Sequence, residues 1–163
     1  MTITSYRIAC SRDIPAMSAI RLAVVENQLR DPARITPKMY ADYLGALGRG
    51  WVCERSGVIA GFAYASRDDG SIWALFVDPA HEGSGIGKQL LALATGYLFE
   101  QGHAKVVLST GPGTRADRFY TAQGWRRSHG DGAAEAFFTL DRPSHAASQK
   151  AEVTPCSHSS GAA

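Results

Sequence analysis

The chain has 163 residues and a mass of 17.4 kDa, enough for one domain with its own core and too few for two. A hydrophobic fraction of 45% with 20% charged residues excludes a mainly disordered chain, and a formal charge of only +2 excludes a broad polyanion-binding surface, so nucleic acid is not expected as a main partner. Cys10, Cys53 and Cys156 form no CxxC pair and leave an odd one over, which fits neither a disulfide framework nor a zinc-ligand spacing. The amino terminus has no basic segment followed by an apolar one, and no run approaches the roughly 20 apolar residues of a membrane span. A reducing, cytoplasmic setting away from membranes is therefore expected.

In chain order, Tyr6 to Ala9 reads as a short strand. Ser11 then caps a helix whose apolar positions are Ile14, Met17, Ile20, Val24 and Val25. Thr36-Pro37 opens a second helix with a buried stripe of Tyr40, Tyr43, Leu44 and Leu47. A meander of three strands follows, Trp51 to Arg55, Val58 to Ala65 and Ser71 to Val77, joined by Ser56-Gly57 and Asp69-Gly70 turns short enough to force antiparallel pairing. From Gly85 a helix carries Ile86, Leu90, Leu93, Ala94 and Tyr97 on one face, and Gly102 closes it. Lys105 to Ser109 is a buried strand, Thr114 to Gln123 a helix with Thr114 and Asp117 at its cap, and Trp125 to Ser128 and Glu135 to Leu140 are the last strands. Residues 141–163 lack Leu, Ile, Met and aromatic side chains and cannot bury enough apolar area to offset their ordering entropy, so a single domain over 1–140 with a flexible tail is expected. The element order predicts an α/β or α+β domain built on a mixed sheet covered by helices.

The segment from Val77 to Lys88 joins a buried strand to the long amphipathic helix. Its glycines, Gly83, Gly85 and Gly87, let the backbone approach a ligand, its successive N–H groups point into one concavity, and the helix dipole and Lys88 add positive charge. Such a loop is an anion cradle, or else a glycine-rich connection without a ligand. It is not a P-loop, because Glu82 stands where the first glycine is required and Gln89 where Ser or Thr is required. It is not a dinucleotide fingerprint either, because the glycines alternate and the preceding strands form hairpins.

The run Trp73 to Leu91 resembles the acetyl-CoA-binding motif of the GNAT superfamily of N-acetyltransferases, whose pattern [Q/R]-x-x-G-x-[G/A] falls on Glu82, Gly85 and Gly87. Glu82 departs from it by placing a carboxylate near the expected phosphates. The run Gly113 to Trp125 resembles a second segment of that family, N-x-x-A-x-x-F-Y-x-x-x-G-[F/W], keeping Ala116, Phe119, Tyr120, Gly124 and Trp125 but substituting Gly113 for the asparagine. The resemblance implies a mostly antiparallel central sheet with helices on both faces. It implies acetyl-CoA as the acetyl donor, and a bulged strand Ile72 to Val77 that splays from Lys105 to Ser109 to admit the pantetheine arm. The cofactor-binding residues it implies are Phe76, Val77, Glu82, Gly83, Ser84, Gly85, Ile86, Gly87, Lys88, Gly113, Phe119 and Tyr120. Main-chain groups around Phe76 and Val77 would pair with the arm and polarise the thioester carbonyl. Homodimers are common among members of the family.

Acetyl transfer from a thioester needs a neutral amine, an oxyanion stabiliser and a proton for the departing thiolate. By pattern alone Tyr120 reads as a helix tyrosine that buries its ring beside Phe119; the resemblance makes it the proton donor. Glu26, Asp31, Glu54, Asp78 and His81 all stand as bases, with Glu26 chosen because a polar cluster there interrupts an apolar helix face; removal of the proton through water needs none of them. Trp51, Tyr64 and Trp73 line an acceptor pocket or pack the core. The five histidines show no metal spacing, Ser84 is not in a nucleophile elbow, and Cys53 reads as a core residue. The expected activity is transfer of acetyl from acetyl-CoA to a primary amine of a small molecule or protein. A non-catalytic acyl-CoA-binding module and a plain nucleotide site are the competing readings.

Overall fold

The computed structural model describes residues 3–24, 38, 41–42, 44–128 and 135–143. Its elements are β1 (Thr4–Ile8), a 3-10 turn (Ser11–Asp13), α1 (Ile14–Ala23), β2 (Gly48–Arg55), β3 (Val58–Ser66), β4 (Ser71–Val77), a second 3-10 turn (Pro79–His81), α2 (Ile86–Glu100), β5 (Lys105–Thr110), α3 (Arg115–Ala122), β6 (Arg126–Ser128) and β7 (Ala136–Asp141). The strands form one sheet in the order β1-β2-β3-β4-β5-β7-β6, antiparallel at every junction except β4 with β5. The mixed, mostly antiparallel sheet with helices on both faces is the architecture expected from the sequence. The insertion of β7 between β5 and β6 is not readable from element order.

Strand alternation sends side chains to opposite faces and so builds two cores. On one face Leu90, Leu91, Ala94, Tyr97 and Leu98 of α2 and Tyr120 of α3 pack with Val106, Leu108 and Phe138 of the sheet. On the other, Met17 and Ile20 of α1 pack with Val52, Phe62, Tyr64, Ala74 and Phe76. Gly61 of β3 lets α2 sit close: a Cβ there would meet Phe76 O at 3.0 Å and the Ile86 and Leu90 side chains at 3.1 and 3.2 Å. Arg7 clamps the α1 end of the sheet, its Nη2 lying 2.7 Å from both Asp13 Oδ1 and Glu54 Oε1.

Ser11 does not cap α1; it begins the 3-10 turn that leads into the helix, because Pro15 at the start of α1 lacks an N–H and suits its first turn. Of the second expected helix, Lys38, Ala41 and Asp42 are helical and Leu44 lies in a turn, while Tyr40 and Tyr43 fall outside the described residues. The hydrogen bonding of the domain passes the expected boundary at 140: β7 includes Asp141, and the Arg142 N–H donates to Ala104 O at 2.9 Å. Residues 144–163, the rest of the expected tail, lie outside the described set. Cys53 is buried and free, as expected of a core residue, but Cys10 is disulfide-bonded, which the odd cysteine count did not suggest; pairing depends on approach in space, not on spacing in sequence. Among the described residues no helix is long and apolar enough to cross a membrane, and no cluster of three metal-ligating side chains occurs.

Candidate functional site

The parallel junction of β4 with β5 is registered only at Ser71 and Val107, where the Val107 N–H reaches Gly70 O at 3.1 Å. Beyond that point a cavity of about 420 Å³ lies against the carboxyl-terminal half of β4. Strand β4 also carries the expected bulge: Tyr64 faces Ala74 and Ala65 faces Ile72, so Trp73 is the extra residue. In consequence Ile72 joins the α2-side core, whereas Trp73 and Ala74 in succession both turn to the α1 side.

The Asp78 N–H donates to Ala60 O at 2.8 Å. Because hydrogen-bonded positions alternate along an antiparallel pair, Phe76 directs its peptide groups to β3, and Leu75 and Val77 direct theirs away from it, toward the gap. Sequence reasoning named Phe76 and Val77; the geometry selects Leu75 and Val77 as the peptides on the open edge, with Phe76 contributing its ring. Period-two counting from Asp78 identifies Leu75, but only once the register is known.

The loop between Asp78 and α2 closes one end of the cavity. Gly83 and Gly85 take φ of 80° and 82°, left-handed values that favour glycine, and Gly85 is the N-cap of α2. The first intrahelical bond runs from the Gln89 N–H to Gly85 O at 3.2 Å, which leaves the N–H groups of Ile86, Gly87 and Lys88 without an acceptor in the helix. A Cβ at Gly87 would meet Val77 and Phe119 only at ordinary distances, 3.6 and 3.8 Å, so the protein itself does not demand glycine there. What glycine provides at this point is open room against a row of unspent donors, as an anion site requires.

Glu82, the residue out of place in the motif, forms an ion pair with Arg115 at the start of α3, and both line the cavity. Its carboxylate charge is thus matched by a cation that the sequence pattern did not single out. Tyr120 lines the cavity from α3 with Phe119, and its ring is held between Phe119, Trp125 and Phe138 at centroid distances of 5.2, 5.7 and 5.5 Å. Burial pushes the Tyr120 phenol well above the usual tyrosine range, so it stays protonated.

Of the other sequence candidates, Phe76, Val77, Glu82, Gly83, Gly85, Ile86, Gly87, Lys88 and Phe119 all line this cavity. Ser84 and Gly113 do not line it. Ser84 Oγ donates to His81 O at 2.7 Å and accepts from Arg55 Nη1 at 3.2 Å, bracing the loop, while the Gly113 N–H donates to Asp117 Oδ2 at 2.8 Å and so ties down the start of α3. Among the candidate bases, Glu26 and Asp31 lie outside the described residues, Glu54 is engaged by Arg7, and Asp78 accepts from the Ala80 N–H at 2.9 Å. His81 lines the cavity. Trp51 and Tyr64 are core residues, 2% and 0% exposed, whereas Trp73 is only partly buried and stacks on Tyr64 at 5.1 Å.

A sequence model of the acetyltransferase (GNAT) family matches residues 18–125. An uncharacterised N-acetyltransferase, ycf52-like, of Prochlorococcus marinus is 34% identical over 70 residues, a match spanning 41% of this chain and 38% of that relative. The structure of the acetyltransferase yncA of Salmonella typhimurium, described as putative and carrying its cofactor acetyl-CoA, superposes with a TM-score of 0.66 at 21% identity over 88% of this chain and 96% of that one. The paia N-acetyltransferase of Thermoplasma acidophilum in complex with coenzyme A does so with a TM-score of 0.73 at 12% identity over 86% and 99%. The matched segment runs from α1 to the residue that precedes β6 and contains the parted strands, the glycine cradle and Tyr120; the chain belongs to the acetyltransferase (GNAT) family.

Proposed function

We propose that this protein is an N-acetyltransferase that moves an acetyl group from acetyl-CoA to a primary amine by direct attack of the amine on the thioester. One observation carries the reading: a single cavity joins the open peptide edge of β4, the unspent N–H groups at the start of α2 and the protonated phenol of Tyr120. The donor supplies the activated acetyl group. Peptide N–H groups of Gly83, Gly85, Ile86, Gly87 and Lys88 hold its diphosphate, with the Lys88 ammonium adding charge. The open edge of β4 at Leu75 and Val77 pairs with the pantetheine arm as another strand would, and an N–H of that edge polarises the thioester carbonyl. Tyr120 returns a proton to the departing sulfur. The amine loses its proton through water or His81, the candidate base on the cavity wall.

The departures from the family pattern do not call for a non-catalytic reading. Arg115 neutralises Glu82, and the cradle depends on peptide nitrogens, which any side chain leaves in place. A cytoplasmic setting is proposed from the need for acetyl-CoA alone; the Cys10 disulfide, a bond rare in a reducing compartment, removes the cysteine argument for it. The assembly we propose is a homodimer, as is common in the family; light scattering tests it, with a monomer mass overturning it.

Calorimetry with acetyl-CoA, followed by thiol release with a panel of amines, tests the reading. Binding together with amine-dependent thiol release is expected; absence of binding overturns it. Glu82→Gln is expected to tighten acetyl-CoA binding about three- to tenfold, because it removes a carboxylate beside the diphosphate and frees Arg115 from that partner. The gain should shrink at high salt, as charge effects at an exposed site do. Weaker binding by the variant would show that the Glu82–Arg115 pair holds the cradle in shape instead.

A further inference from the structure

Arg21 sits on α1, one turn before Val24, which lines the cavity. Its guanidinium lies over two rings of β4, with Cζ 5.5 Å from the Trp73 centroid and 5.3 Å from that of Phe76. The bulge is the reason both rings are there, since it turns Trp73 to the face Phe76 already occupies. Contact with ring faces leaves the in-plane N–H groups of a guanidinium unmet. Nε and Nη1 are buried, and neither has a hydrogen-bond partner among the described residues. An arginine cannot shed its charge to escape this cost, so the arrangement calls for an anion.

The donor does not supply that anion. Its cradle, Lys88 and Arg115 belong to the α2 and α3 side, whereas Arg21, Trp73 and Phe76 lie on the α1 side of the sheet. Phe76 borders both the cavity and the guanidinium, so a molecule reaching the thioester from the α1 side passes Arg21. Resting on the N-acetyltransferase reading, we infer that the acceptor is a small amine that also bears a carboxylate, and that Arg21 holds this carboxylate while the amine faces the thioester. The planar fork of a guanidinium suits a planar carboxylate better than an ammonium would.

The test compares amines that differ only in the carboxylate: leucine with isoamylamine, β-alanine with ethylamine, and 4-aminobutyrate with propylamine. At least one carboxylate-bearing member is expected to show kcat/KM more than tenfold above its decarboxylated partner, and to raise the Tm of the protein loaded with coenzyme A when the partner does not. Arg21→Met, which keeps the length of the side chain and removes the charge, should raise KM for that substrate at least thirtyfold with kcat and coenzyme A affinity little changed. It should leave the decarboxylated amine as it was, and Arg21→Lys should recover part of the preference. Equal turnover and equal thermal shifts within every pair overturn the inference while leaving the transferase reading intact. A preference that survives in Arg21→Met overturns it as well. Failure of acetyl-CoA to bind is a separate result that strikes the transferase reading, because the thermal shift by the amino acid is then read on the protein without coenzyme A, where Arg21→Met should abolish it.

Discussion

Tyr120→Phe is expected to lower kcat about 100-fold while leaving the affinity for coenzyme A within about twofold, since a positioned proton donor contributes on the order of 10² to 10⁴ in rate and a phenol-to-phenyl change keeps the ring. The ring is fixed by Phe119, Trp125 and Phe138, contacts that Phe reproduces. Burial raises the Tyr120 phenol, which at first sight makes it a poorer acid for a thiol of ordinary pKa near 8.5. The thiolate, however, is released into the same apolar cavity, where desolvation raises its own proton affinity in the same direction. The two groups are thereby brought back toward a match, and the phenol is fully protonated at every working pH. Activity should therefore show no alkaline fall attributable to Tyr120 below about pH 10. An unchanged kcat in the variant would remove Tyr120 from the reaction.

The same burial has a consequence for stability whose sign is fixed. The folded-state value for Tyr120 lies above the unfolded one, so its contribution is fully present below about pH 10, the ordinary tyrosine value, and is lost as pH rises from there through the folded value. Tyr6, pushed up to about 12 chiefly by burial, acts in the same direction and remains in the variant. The Tm of Tyr120→Phe should consequently fall less than that of the parent between pH 9 and pH 11, without becoming independent of pH. A steeper fall in the variant would show that the phenol is not buried as its surroundings imply.

Local chemistry made most of the scaffold legible. Hairpin turns at Ser56-Gly57 and Asp69-Gly70, the apolar stripe of α2 and the cap at Thr114 each follow from neighbours within a few residues, and the corresponding elements lie where those signals place them. Relations between distant segments were not legible. The placement of β7 between β5 and β6, the choice of Leu75 over Phe76 for the open peptide edge, and the pairing of Glu82 with Arg115 all depend on registers or approaches across the fold. Ser84 and Gly113 show the same limit from the other side. Both sit inside recognisable motifs, yet each is used to brace its own segment, Ser84 through His81 and Arg55 and Gly113 through Asp117. Arg21 carried no signal at all, because its setting is made by a bulge in a strand that is distant from it in sequence.

Gly85→Leu is expected to weaken acetyl-CoA binding at least 100-fold, about 2.7 kcal/mol, the largest single effect on affinity. Gly85 has a φ of 82°, and a Cβ built there meets nothing within 4 Å. No protein atom therefore resists the side chain, and the cost to folding is the left-handed backbone alone, about 1 to 2 kcal/mol. Gly85 lines the cavity in which the diphosphate is proposed to approach the N–H groups of Ile86, Gly87 and Lys88, so a leucine there is expected to crowd that approach. Strain and blockage are separated by Gly102→Leu at the far end of α2. Gly102 has a φ of 98° and the same open surroundings, but it does not line the cavity. Both variants should lose a similar few degrees of Tm, and only Gly85→Leu should lose the donor. Equal affinities in the two would mean that the peptide nitrogens at the start of α2 do not hold the phosphates.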